Sequence, residues 1–337
     1  MTAPAHSLAP SADPSLPRDL AFTLPRWRLW RGGAGAAALW IGAGLFALYV
    51  PGVTPLPRTG LLGGIELAIG IAIAVVALAP WRRSEGLEQA DRWLAALPIG
   101  FVIWQYATNK TGLLPLPFFP APESVLEVFT DDWAKLAESA LASLVLLIPG
   151  YAIGAALGFS LGVAIGWSRA VHYWAHPILR FVGPLPATAW LPIAFFCFPS
   201  TRSASTFLIA LASGFPVAVL TSSGVASVAR AYYDIARNLG ADPRFLVRKV
   251  AVPAALPSVF VGLFMGLGAS FVVLVTAEMI GVKAGLGFYL QWAQGWAAYA
   301  NIYAALIVMA FLFSGLIGLL FAVRDRVLAW QKGIVRW

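Results

Sequence analysis

Charge is what this 337-residue chain has least of. Only 11% of its residues are Asp, Glu, Lys or Arg, against about 25% in soluble domains. With 60% hydrophobic residues and a mean hydropathy of +0.79, that scarcity excludes an ordinary soluble domain and marks an integral membrane protein. The single cysteine, Cys197, excludes an internal disulfide and any cysteine-based metal cluster. Three histidines, His6, His172 and His176, argue against a metal enzyme. No phosphate loop of the form Gly-x4-Gly-Lys-Ser/Thr occurs, so nothing here can hydrolyse ATP. The formal charge of +8 reports loops held on the cytoplasmic side rather than a nucleic-acid partner.

What is present is a series of apolar runs. At about 20 residues per crossing, they predict spans near 34–53, 61–80, 93–113, 137–167, 182–198, 204–222, 254–279 and 300–323. The fourth is too long for a perpendicular crossing and must tilt or begin along the membrane surface. The fifth contains Pro184, Pro186 and Pro192 and is expected to be broken or kinked. Residues 1–25 are rich in Pro, Ala and Ser and are expected to be disordered. Asp13 and Asp19, in a long polar stretch, rule out a secretory signal. Arg26, Trp27, Arg28, Trp30 and Arg31 then interleave base and indole, the pattern of an anchor in membrane lipid headgroups. With both termini inside, eighteen of the 23 Lys and Arg fall in the cytoplasm. Only Arg58, Lys110, Lys135, Arg202 and Lys283 fall outside, so this orientation is the expected one.

The rest is organised around one polar interruption, 228–257, which reads as two short helices at an angle. In the first, Tyr232, Ile235, Ala236 and Leu239 share one side, with Asp234 between them. Gly240 follows as the residue able to take the left-handed conformation. After Ala241, Asp242 is a good N-cap and Pro243 a good first helical residue. Phe245, Leu246 and Val250 share a side of the second helix, which Pro253 and Pro257 are expected to end. An interfacial hairpin lying on lipid headgroups has the same outline.

The order of these residues resembles the cytoplasmic coupling loop of binding-protein-dependent ABC importer permeases. That loop reads Glu-Ala-Ala, three residues, Gly, then Leu-Pro; here the places hold Asp234, Ile235, Ala236, Gly240, Leu256 and Pro257. The glutamate is shortened and the first alanine is isoleucine. Three further stretches are similar to the nitrate/sulfonate/taurine/bicarbonate branch: FPAPESVLEVF at 119–129, GPLPATAWLPIAFFCF at 183–198 and AEMIGVKAGLGFYL at 277–290. The resemblance covers about 70% of the chain, from Leu94 to Trp330. It implies an all-α membrane protein with a six-helix, type I importer-like core at 93–330. Ahead of it stand two additional N-terminal helices at 33–92 and a tail and anchor at 1–32. It further implies a transport subunit of the bacterial inner membrane that binds no cofactor itself. Its partners would be a second permease copy, two ATPases carrying ATP and magnesium, and a periplasmic binding protein. The implied cargo is a small anion such as nitrate, a sulfonate or taurine, or bicarbonate. An ATP-independent channel or secondary transporter, and a scaffold anchoring a cytoplasmic enzyme, are the readings from other classes.

Under this resemblance Tyr232, Asp234, Ile235, Ala236, Leu239, Gly240, Ala241, Pro243, Phe245 and Leu246 would couple to the ATPase. Within the membrane, ionisable residues are functional candidates by default. Glu278, in the matching Ala-Glu-Met segment, is a gating or pathway candidate, equally readable as a helix-end contact. Thr276, Ser270, Thr188 and Trp190 are weaker pathway candidates, and Glu66 reads as a structural hydrogen bond. Gly150, Gly154, Gly158, Gly162 and Gly166 recur every four residues, a small-residue stripe that lets another helix approach closely, in the core or from a twin. Glu123, Glu127, Asp131, Asp132 and Glu138 form an outer acidic run, solvated or a docking face for a basic binding protein.

Overall fold

A computed structural model describes residues 30–78, 89–183 and 185–330. The expected disorder of 1–25, most of the Arg/Trp anchor, Arg82, Arg83, Pro184 and the last seven residues lie outside these. Trp30 lies inside and is buried, its ring against Gly33.

Every described element is helical. We number them α1 Arg31–Tyr49, α2 Thr59–Leu78, α3 Asp91–Gln105, α4 Pro122–Asp131, α5 Trp133–Trp167, α6 Arg169–Val182, α7 Leu191–Cys197, α8 Thr201–Ala226 and α9 Arg230–Asn238. They continue as α10 Pro243–Ile280, α11 Leu286–Gly295 and α12 Tyr299–Val327. Six of them (α1, α2, α5, α8, α10 and α12) are long and apolar enough to cross a membrane.

Two of the eight expected spans take a different form. The one expected at 93–113 is a 15-residue α-helix, α3, with Asp91 and Arg92 in its first turn. A π-helical turn over Tyr106–Lys110 extends it. The one expected at 182–198 is sharply bent rather than straight. There α6 meets the segment Ala187–Cys197 at 87°, because Pro186, extended at ψ 132°, precedes a 3-10 turn at Ala187–Trp190 instead of continuing the helix. Counting α3 with its extension, and the bent pair, as one segment each gives the six-segment core, with α1 and α2 as extra helices.

By contacts the chain divides into two compact units, 1–46 with 63–102, and 47–62 with 103–337. In the first, Trp40 of α1 donates its indole N–H to the Leu94 carbonyl of α3 at 2.9 Å, and Glu66 is buried. In the second, the loop after α1 is tied down. Lys110 donates to the carbonyls of Ala47 and Val50 at 3.0 and 2.6 Å, and Arg58 pairs with Asp131 at 2.7 Å.

The centre of the second unit is α5 against α8, with α10 on the adjoining face of α8, so that Ser213 meets both. All five stripe glycines of α5 face α8. A β-carbon would meet Ile209 at Gly150, Ser213 at Gly154, the Gly214 backbone at Gly158, Thr221 at Gly162 and Val225 at Gly166. Without side chains there, the two backbones close together along four turns and gain dispersion contacts. Gly262 and Gly266 do the same for α10, where a β-carbon would lie 3.0 Å from the Val217 Cα and 2.9 Å from the Ser213 carbonyl. The apolar core fills around this seam with Leu147, Leu208, Ile209, Val273 and Leu274.

Candidate functional site

The hairpin at 228–257 is built from local rules. Helix α9 ends at Asn238 with Leu239 as its C-cap, and Gly240 takes φ +85°. The Ala241 N–H then returns to the Ala236 carbonyl at 3.0 Å, and the Gly240 N–H to that of Arg237 at 2.9 Å. This double bond pattern is a Schellman cap, which satisfies carbonyls the helix end would otherwise leave open. Two residues on, the Asp242 carboxylate accepts the Phe245 N–H at 2.8 Å and starts α10 at Pro243.

On this frame Tyr232, Ile235, Leu239 and Phe245 are all exposed, Leu239 by 83%. Asp234 reaches only Arg237, at 3.3 Å and in solvent. The hairpin is held to the membrane part by its other side. Tyr233 stacks edge-on against Trp167 at 5.7 Å, beside buried Val225, Ala251 and Ala255. Leu246 also turns inward: it is 3% exposed, so it is not the exposed knob that was expected. Nor do Pro253 and Pro257 end the second helix. The turn over Leu246–Ala251 is π-helical, which shifts the hydrogen-bond register where Pro253 lacks an N–H. The helix therefore runs unbroken for 38 residues to Ile280.

At the far end of α10 sits Glu278, 1% exposed. One carboxylate oxygen accepts the Ser143 hydroxyl of α5 at 3.0 Å and the Gly287 N–H at 2.8 Å. Ser143 in turn accepts the Leu286 N–H at 2.9 Å. The acid thus caps α11, where a carboxylate is favoured by the helix dipole, and pins three elements together. Gly285, at φ +101°, makes the approach possible, because a β-carbon there would fall on the carboxylate. Ser143 escaped the sequence reading. The signal that could have found the clamp is Gly-Leu-Gly seven residues after the acid, since only a bare backbone fits over a carboxylate.

The weaker pathway candidates are dispersed. Thr188 and Trp190 line a cleft of about 340 Å3 with Ala269, Val272 and Val273 of α10. Ser270 is buried and donates to the Ile209 carbonyl of α8 at 3.3 Å. Thr276 bonds back to its own helix at Val272, 2.8 Å away. The acidic run does not form one face either. Glu123 is fully buried and accepts from Asn109 at 3.3 Å. Asp131 is paired with Arg58 and Asp132 with Lys135. Among the described residues, Glu127 and Glu138 are the two acids of this run that are neither fully buried nor ion-paired.

Residues 150–330, from the first stripe glycine to beyond α12, match the model of the binding-protein-dependent transport system inner membrane component. The chain belongs to that family. The match takes in the hairpin and Glu278. It leaves out α1 to α4 and Ser143. Among similar proteins is a bicarbonate transport system permease protein of Synechococcus elongatus, 33% identical over 253 residues, which are 71% of this chain and 87% of the relative. A probable ABC transporter permease protein of Brucella abortus is 32% identical over 241 residues, 71% of this chain and 95% of the relative. A nitrate import permease protein of Synechocystis is 28% identical over 277 residues, 79% of this chain and 98% of the relative. The protein is therefore an ABC transporter permease, a multi-pass membrane component of a transport system.

Proposed function

We propose that two copies of this permease form the pathway of an ATP-driven importer for a small anion, delivered from outside by a binding protein. The observation that carries the reading is the set of four exposed apolar side chains, Tyr232, Ile235, Leu239 and Phe245, at the tip of a rigidly capped hairpin. Such a cluster in an aqueous loop marks a protein contact, and an ATPase groove is the partner that the family supplies. The lysine and arginine distribution supports a cytoplasmic hairpin and cytoplasmic termini. ATP and magnesium belong to the ATPase.

The mechanism follows from α10. The helix begins in the hairpin and ends at the Glu278 clamp, about 55 Å away at 1.5 Å per residue. Closure of the ATPase pair on ATP shifts Phe245, and the rod carries that shift across the membrane to α11 and α5. The cleft at Thr188 and Trp190, against the middle of α10, changes shape on the way. Bicarbonate and nitrate relatives support an anion as cargo. The test is uptake by the complete transport complex in proteoliposomes, with labelled bicarbonate, nitrate and taurine offered in turn. ATP-dependent uptake of one of them is expected. Flux of equal rate without ATP would contradict the reading and indicate a channel.

A further inference from the structure

Two adjoining cavities have no part in the coupling surface or the clamp. The first, about 860 Å3, lies between the end of α5, α6 and the second half of α8. Its rim carries Arg169, His172, His176 and Arg180, which recur on one face of α6 at steps of three and four residues. No acidic side chain lines it. Among the described residues none of the four has an ion-pair partner, and the two imidazoles merely stack on each other at 4.8 Å. Two arginines without a counter-charge, with two imidazoles between them able to hydrogen-bond, make an anion site.

The second cavity, about 780 Å3, shares Leu179 and Phe215 with the first and follows the α5–α8 seam. Its walls are almost wholly apolar, including Ile153, Leu157, Leu161 and Phe207. Away from the basic face, α6 exposes Trp174 and Phe181, aromatic residue types that settle at the membrane–water boundary. The cationic head site thus opens at headgroup depth into an oily groove.

We propose that the paired cavity binds one anionic phospholipid, its phosphate held by Arg169, His172, His176 and Arg180 and an acyl chain laid along the α5–α8 seam. The groove decides the class of ligand: a free oxyanion would use the basic rim and leave the apolar half unfilled. Arginine suits the phosphate because its planar donors can bond two oxygens at once.

The test is native mass spectrometry of the full-length protein in mild detergent, with phosphatidylglycerol or phosphatidylcholine added. The wild type should retain phosphatidylglycerol in preference, and R169Q/R180Q should lose that preference about thirtyfold, at roughly fivefold per arginine. R169K/R180K should recover part of it, which separates charge from misfolding, and L157W should weaken retention by filling the groove. Equal retention of the two lipids would overturn the proposal, as would a preference unchanged in R169Q/R180Q. Binding of inorganic phosphate or nitrate with that arginine dependence but no lipid would make it a small-anion site. Exclusion of lipid by dimer formation would assign the groove to a second copy.

Discussion

The Glu278 carboxylate receives the Gly287 N–H at 2.8 Å, so an acid in one membrane helix caps the helix that follows it. The oxygen that does this also takes the Ser143 hydroxyl, while among the described residues the second oxygen makes no hydrogen bond. Both donors meet one oxygen, so an acceptor held in that position keeps the two hydrogen bonds. E278Q keeps a carbonyl oxygen in the bonding position and should retain most of the transport rate. E278A strands two buried donors, at about 1–3 kcal/mol each, and should lower both thermal stability and transport. A charge-dependent gate would instead lose transport in E278Q at unchanged Tm. Uptake and Tm of the two variants, measured side by side, separate these roles.

The α5–α8 seam makes a second prediction. At Gly158 a β-carbon would strike the Gly214 backbone, which cannot swing aside as a side chain can. G158A should cost about 1–3 kcal/mol through overpacking, and G158L should prevent folding. Gly268, on α10, has open space around it, so G268A should leave stability nearly unchanged or raise it slightly. Thermal unfolding in detergent checks the contrast.

The hairpin offers a third. Gly240 has open space for a β-carbon but a φ of +85°, so G240A loses by backbone strain alone, about 1–2 kcal/mol. L246A should cost about 2–5 kcal/mol of stability as a buried leucine. L239A, at 83% exposure, should leave stability alone and weaken only the partner contact.

A fourth concerns pH. The Thr130 hydroxyl and then Arg58 hold the Asp131 carboxyl below its ordinary value of 3.8. A depressed acid stabilises the fold above its unfolded value and ceases to do so as pH falls through the folded one. D131N should therefore sit slightly below wild type in Tm at pH 7, and the gap should close below about pH 3.8. Being exposed, the pair contributes little. A gap that widened on acidification would reverse the assignment.

Much of this was legible in single residues. Gly240 and Asp242 announced their caps because each satisfies a local backbone rule, and the glycine stripe announced a close helix partner because its period is helical. What escaped depended on partners distant in sequence. Leu246 and Glu123 looked exposed within their own segments; both are buried, Glu123 against Asn109 in the turn after α3. Pro253 was expected to stop a helix that a π turn carries through. The right-angle bend after α6 was visible as prolines, but its size was not. Ser143 has no local signature, since its role exists only where α5, α10 and α11 meet.

The most direct measurement of the central claim is the ATPase content of the permease purified from its native membrane. The account predicts one ATPase per permease in the wild type. L239D and I235D should abolish it at unchanged Tm, while E278Q leaves it intact. A stable permease that carries no ATPase, or one whose ATPase survives both hairpin charges, would contradict the assignment of Tyr232, Ile235, Leu239 and Phe245 as the coupling surface.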